Sequence, residues 1–346
     1  MTHFAWLLYL YNMVKIISME TKLLEGKIAI DEGAKLIQSG EVVVFPTETV
    51  YGLGANAFNV AAVKKIYEAK GRPSDNPLIV HIYDKSQIKD LVSSISNEAK
   101  LLIDAFMPGP ITIIMPKAEI VPKEVTGGLN TVGVRMPSHP VANAFLRACK
   151  LPIAAPSANV STHISPTTAE DVYEDMKGRV PLIIQGGASD VGIESTIIDT
   201  TTTIPTILRP GFITQEDIAN VLGVCESFKG EVTIAKAPGM KYKHYAPLCP
   251  MVIAESLNSM IKEYDKVKEE GLNPIIIARD DVIKNLFGRR YIDVGVNANE
   301  TMRNIFRAMH EGQKIANYII CQDFGMDGKN ASIMNRVNKA AGGIRV

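Results

Sequence analysis

Charge of one sign is in no surplus in this chain: 37 lysines and arginines stand against 37 aspartates and glutamates over 346 residues. Without a long-range basic field, net charge draws the protein neither to nucleic acid nor to an anionic membrane. Cysteine is scarce, with Cys149, Cys225, Cys249 and Cys321 isolated and no CxxC pair. That excludes a disulfide framework and fits the reducing cytoplasm. Metal-ligand spacing is missing, because His139, His163, His244 and His310 have no second histidine three to five residues away. The chain has no GxxxxGK[ST], so any nucleotide is bound without a P-loop, and no GxSxG, so no nucleophile elbow is signalled. Long apolar runs are absent as well. The stretch Phe4 to Tyr11 is too short to span a bilayer, is followed by Asn12 and Lys15, and lacks a basic leader and a small-residue cleavage site. Residues 1–12 read as an extension outside the fold, with Met13 or Met19 as alternative starts.

What is present is ordinary globular protein, 46% apolar and 21% charged, long enough for two domains with separate cores. From residue 27 apolar runs alternate with helical patterns. Ile30, Ala34 and Ile37 share a helical face before Gly40, and Val42 to Phe45 read as a strand. A helix through Val60, Val63, Ile66 and Tyr67 ends near Gly71. Strand-like runs follow at Leu78 to Ile82, Ile111 to Met115, Val132 to Met136, Pro152 to Ala155, Leu182 to Gln185, Ser195 to Asp199 and Thr206 to Leu208. Helices lie between only some of these, so the spacing predicts a twisted mixed sheet over 27–213. Residues 214–250 read as a linker, since Ala237 to Pro247 shows no periodic apolar face. Over 251–346 strands and helices alternate strictly, which predicts a smaller, Rossmann-like parallel α/β domain. The fold class is therefore α/β throughout.

Short polar motifs sit where the strands stop, so their loops can converge on one pocket. Gly52-Leu53-Gly54-Ala55-Asn56-Ala57 matches GxGxxA, but six residues separate it from the preceding strand and no acidic residue ends a second one. Its glycines read as a tight turn. Lys70 and Arg72 flank Gly71 past a helix end. They either complement the helix dipole or form an exposed clamp for oligophosphate oxygens, with Asn76 adding an amide. Ser157 and Asn159 form either a local polar turn or a ligand contact. His81, inside an apolar strand, reads from its position as a satisfied core histidine ahead of a ligand contact, and Ser195 and Thr196, after Glu194, as the start of a strand. Arg135 ends an apolar strand and needs an anion or water. In the linker, Lys241, Lys243, His244 and Tyr245 read as a solvated tether or as a cover over a nucleotide.

Pro46-Thr47-Glu48-Thr49-Val50-Tyr51-Gly52-Leu53, Lys70-Gly71-Arg72-Pro73 with Asn76-Pro77-Leu78, Val134-Arg135-Met136-Pro137, Ala155-Pro156-Ser157-Ala158-Asn159, Glu194-Ser195-Thr196-Ile197 and Leu208-Arg209-Pro210-Gly211 together resemble the YrdC-like family. With the segment Ala237 to Pro247 and a second domain, the chain resembles its two-domain threonylcarbamoyl-AMP synthases. The resemblance implies joining L-threonine, bicarbonate or carbon dioxide, and ATP into threonylcarbamoyl-adenylate, with release of pyrophosphate. A partner transferase complex then modifies the tRNA adenosine beside the anticodon, with direct tRNA binding by this chain weak or absent and no membrane partner. It also implies Lys70, Arg72, Ser157 and Asn159 as the catalytic set, with Asn76, Thr131, Ser165, Arg209 and Tyr245 as further ATP contacts. Thr47, His81, Arg135, Ala155 and Ser195 are implied as the threonine pocket. No protein-held metal is implied; magnesium arrives with the ATP phosphates. Two other readings stand beside this one, an RNA-binding module of the same fold and a carbamoyltransferase.

Overall fold

The computed structural model describes residues 19–228, 237–238 and 244–346. The predicted extension at 1–12 and linker residues Lys241 and Lys243 lie outside them. Eleven strands form one mixed sheet: β1 (Lys22–Glu25), β2 (Val43–Phe45), β3 (Gly52–Asn56), β4 (Ile79–His81), β5 (Ile111–Pro116), β6 (Thr131–Arg135), β7 (Ile153–Ala155), β8 (Leu182–Gln185), β9 (Thr196–Asp199), β10 (Thr206–Arg209) and β11 (Glu226–Ser227). Their order is β1-β8-β2-β3-β7-β4-β6-β5-β9-β10-β11. A second sheet of β12 (Met251–Ala254), β13 (Pro274–Ala278), β14 (Tyr291–Asp293) and β15 (Tyr318–Gln322) runs β12-β15-β13-β14 with every pair parallel. Both predicted sheets are thus present.

Helices cover the large sheet on both faces, which is why its strands read as continuous apolar runs rather than as alternation. On one face Ala29, Ala34 and Ile37 of the helix Gly26–Gln38 pack with Phe145 and Leu146 of the helix Pro140–Cys149. On the other, Val63 and Ile66 of the helix Val60–Lys70 join Leu102 and Val172 over β3, β4 and β5. The smaller sheet is covered by the helices Leu257–Glu269, Ala298–Ile315 and Asn330–Ala340.

Three segments depart from the expectations. β1 adds Lys22–Glu25 to the sheet edge beside β8, ahead of residue 27, although its side chains are only half-buried and give little apolar signal. Gly52–Asn56 is not a tight turn but a strand, paired antiparallel with β2 and β7. Gly54 is required there by close approach: a Cβ would stand 2.7 Å from Ile153 Cγ2 and 2.9 Å from Phe45 Cε1. Residues 214–250 do not start as a linker, since Thr214 caps a helix over Gln215–Leu222 that buries Ile218 before β11.

The two sheets are joined through a shared core. Val50, Ile164 and Ile193 from the first domain pack with Met302, Phe306 and Met334 of the second. Each such burial is worth roughly 1.5–3 kcal/mol, so the two units dock rather than merely follow one another.

Candidate active site

The cavity opens where β2, β4, β6, β7 and β10 end and β9 begins, and it is lined by the first domain together with Pro238, His244 and Tyr245 of the segment that follows it. Twelve of the fourteen residues singled out from the sequence line it: Thr47, Lys70, Arg72, His81, Arg135, Ala155, Ser157, Asn159, Ser165, Ser195, Arg209 and Tyr245. Asn76 and Thr131 do not. Asn76 is buried behind Arg72, and Thr131 lines a small adjoining cavity that shares Ile79 and Pro238 with the main one.

Lys70 is the last helical residue before Gly71, whose left-handed φ of 61° stops the helix. That stop turns Lys70 inward, where Nζ donates to the carbonyls of Ser157 and Asn159, at 2.5 Å each. The two predicted motifs are therefore one unit: the ammonium ties the 157–159 loop to the helix end. Ser157 Oγ donates to Asn159 Oδ1 at 2.6 Å, and Asn159 Nδ2 donates to the carbonyls of Val160 and His163. Asn159 thus performs the local-turn role as well as facing the cavity. Burial, and then the nearby Arg72, hold the Lys70 ammonium well below its ordinary pKa. The exposed clamp expected from the sequence is a correction to make: Lys70 is 1% and Arg72 9% exposed. Arg72 is held by the carbonyls of Pro77 and Asn76 and is lowered to about 10 by burial.

Arg135 ends β6 beside His81 of β4. The anion it needs is partly internal, because Nη2 lies 2.9 Å from Glu48 Oε1 while Nη1 donates to Thr49 Oγ1 at 2.8 Å. The pair is an ion pair by distance only: Nε and Nη2 of Arg135 and both oxygens of Glu48 have no hydrogen-bond partner among the described residues. Thr47 Oγ1 lies 2.9 Å from Thr49 Oγ1 and donates to the carbonyl of Val50 at 2.6 Å, which curls the 46–51 loop into the cavity. His81 Nδ1 faces the carbonyl of Ile79 at 3.2 Å, so it carries the proton. Burial, and then Arg135, push this imidazole from 6.5 to about 3.

That shift sets a stability prediction. The unfolded histidine takes up a proton near 6.5 while the folded one stays neutral down to about 3. Stability therefore falls as pH falls through that window, with His81 contributing a slope of at most about 1.4 kcal/mol per pH unit. Urea midpoints measured from pH 7 to 5 should decline, and His81→Gln should decline less steeply. Equal slopes would show His81 to be protonated in the fold.

On the far wall Ser195 Oγ lies 2.8 Å from Thr112 Oγ1 and accepts from Arg209 Nη2, whose Nε donates to the Ser195 carbonyl. Arg209 is lowered to about 10 by burial. Ser165 Oγ donates to Glu194 Oε1 at 2.6 Å. Tyr245 is buried against Phe306 with ring centroids 5.2 Å apart, and burial raises its phenol to about 12.

Sequence reasoning did not assign Thr49, Ser161, Thr162 or Glu194 to the lining, and it named His244 only within a segment read as a tether or a cover. Glu194 lies in the motif Glu194-Ser195-Thr196, where nothing nearby in the chain neutralises its carboxylate. Its partner is Arg336 of the second domain, whose Nε lies 3.0 Å from Glu194 Oε2. The signal for Arg336 was its place on the apolar face of a helix, with Ile333, Val337 and Ala340.

Among the described residues no group of three or more His, Cys, Asp or Glu side chains could cage a metal. No helix there is long and apolar enough to cross a membrane.

Two family models cover most of the chain. One, described as Telomere recombination, matches residues 35–211. The other, described as the C-terminal domain of threonylcarbamoyl-AMP synthase, matches residues 213–342. The chain is 42% identical over 340 residues to the threonylcarbamoyl-AMP synthase of Pyrococcus abyssi, covering 95% of this chain and 98% of that one. It is 45% identical over 326 residues to the threonylcarbamoyl-AMP synthase of Bacillus subtilis, covering 91% and 93%. Its fold superposes on a crystal structure of P. abyssi Sua5 complexed with L-threonine at a TM-score of 0.88 and 40% identity, covering 94% of this chain and 99% of that one.

Proposed function

The chain belongs to the two-domain threonylcarbamoyl-AMP synthases, and we propose that the cavity described above is where it assembles its product from L-threonine, bicarbonate or carbon dioxide, and ATP. It is a nucleotidyltransferase whose product serves the threonylcarbamoyl modification of tRNA. The observation that supports this siting is the convergence of Lys70, Arg72, Arg135 and Arg209 with the hydroxyls of Thr47, Thr49, Ser157 and Ser195 on one cavity.

Threonine's amine captures carbon dioxide, forming a C–N bond and releasing a proton. A carbamate oxygen then attacks the α-phosphorus of ATP in line, forming a P–O bond as the bond to pyrophosphate breaks. The chemistry needs no covalent enzyme intermediate, so positioning and charge neutralisation can supply most of the rate. Arg135 and the Thr47–Thr49 hydroxyls are assigned to the threonine, together with His81, Ala155 and Ser195. Lys70, Arg72 and Arg209 are assigned to the phosphates, with Ser157, Asn159, Ser165 and Tyr245 around the nucleotide, Thr131 at the adjoining cavity and Asn76 behind Arg72. The carboxylates nearest the cavity, Glu48 and Glu194, are each held by an arginine. They offer no cage, so magnesium would ride on the ATP phosphates, and no step here passes through it. The product then passes to a transferase complex. Pyrophosphate release from ATP, measured with and without threonine and bicarbonate, tests the reading; release independent of both would overturn it.

The end of the 214–250 segment is assigned as a cover over the nucleotide. His244 and Tyr245 already line the cavity, and Tyr245 holds a left-handed φ of 65° against the second domain, a backbone conformation uncommon outside glycine. Such a cover excludes water that would hydrolyse the adenylate. ATP plus threonine should shield residues 240–246 from limited proteolysis, and Tyr245→Ala should raise the ATP concentration needed for turnover. Equal cutting with and without ligands, and unchanged kinetics, would leave the segment a plain tether.

A further inference from the structure

Glu194 is anomalous at an anion site: a carboxylate 6% exposed, on the wall of a cavity assigned to phosphates. The second domain answers it. Arg336, fully buried on the helix Asn330–Ala340, places Nε 3.0 Å from Glu194 Oε2 and Nη2 3.2 Å from the Glu194 carbonyl. Its Nη1 donates to the carbonyls of Pro210 and Ser332, and Ser332 Oγ donates to the carbonyl of Gly211 at 2.7 Å. One helix of the second domain therefore grips both wall segments that carry cavity side chains, Glu194–Ser195 and the turn after Arg209.

We propose that Arg336 is a positioning residue for ATP: from outside the cavity it neutralises Glu194, holds that carboxylate on Ser165, and fixes the turn that follows Arg209. This rests on ATP occupying the cavity. It gives the second domain a direct part in the site, since without Arg336 the Glu194 carboxylate loses the larger of the two positive charges acting on it, Arg209 being the other, and faces the phosphates. Each charge alone is costly to bury, whereas removing both together leaves the local balance unchanged.

The test is equilibrium binding of ATP to the full chain, with folding checked by thermal melting. Wild-type binding comes first, and its absence would sink the siting of ATP itself. Given that binding, Arg336→Met should weaken ATP by about 100-fold, the repulsion expected for an unpaired carboxylate several ångströms from a phosphate at the effective dielectric of such sites. Arg336→Lys should lose no more than about tenfold, and Arg336→Met combined with Glu194→Gln should return to within a few-fold of wild type. Loss confined to the single Arg336→Met variant supports the charge role. An Arg336→Met protein that binds as wild type, or a double variant as weak as the single one, overturns it. If Arg336→Met does not fold, the folded double variant decides: near wild-type affinity supports the proposal and a 100-fold loss refutes it.

Discussion

Valine should be used about 10⁴-fold less well than threonine when the two compete for carbamoyl-adenylate formation, whereas serine should lose only about 1–3 kcal/mol in kcat/KM. The asymmetry follows from what the cavity offers a side chain. Thr47, Thr49 and Ser195 present buried hydroxyls, and His81 and Arg135 present buried nitrogens. A hydroxyl can join that network, and a missing methyl forfeits only its own burial. Valine fills the volume but leaves polar groups unpaired in a site already removed from water. Competition measured by product mass would show the ranking threonine, serine, valine. Valine used as well as serine would remove the polar side-chain pocket from this cavity.

Lys70→Ala or Arg72→Ala should lower pyrophosphate release by about 10²–10³-fold, because loss of one charge-stabilising contact costs about 2.7–4 kcal/mol in the barrier. From the sequence alone such a change would leave the fold intact. The structure changes that expectation for Lys70, whose ammonium satisfies the carbonyls of Ser157 and Asn159 in a fully buried position. Removing it leaves buried acceptors unpaired at about 1–3 kcal/mol, so Lys70→Ala should also melt at lower temperature. Lys70→Met keeps the packing and separates the effects. Wild-type rates in both Arg72→Ala and Lys70→Met would take these residues out of the site.

Most strands of both sheets were legible because a sheet covered on both faces writes itself as short continuous apolar runs, as in Ile111 to Met115 and Pro274 to Ala278, whereas the edge strands β1 and β11, which bury little, were not. β3 was not, since its glycines carry no apolar signal and are dictated by the approach of Ile153 and Phe45 across the sheet. The site was legible where element ends and polar motifs coincide, as at Lys70, which ends a helix, and Ser157, which follows β7, and where the family resemblance implied a role, as for Arg209; all three line one cavity. It was not legible where a role depends on a partner distant in the chain. Glu48 and Arg135 stand 87 residues apart, and Glu194 and Arg336 142 apart; a lone charge in a sequence does not show what neutralises it.

By itself the sequence determined the two α/β units, their strand and helix alternation, and the residue types of a cationic, hydroxyl-rich site, because these follow from periodicity and from motifs local to strand ends. Only the tertiary structure decided that Lys70 is a buried tie rather than an exposed clamp, that Arg135 already carries a carboxylate, and that the second domain backs the wall residues Glu194 and Tyr245 through Arg336 and Phe306. Burial and pairing are properties of groups brought together by folding, and desolvation makes each buried charge depend on a partner that its own neighbours in the chain do not supply.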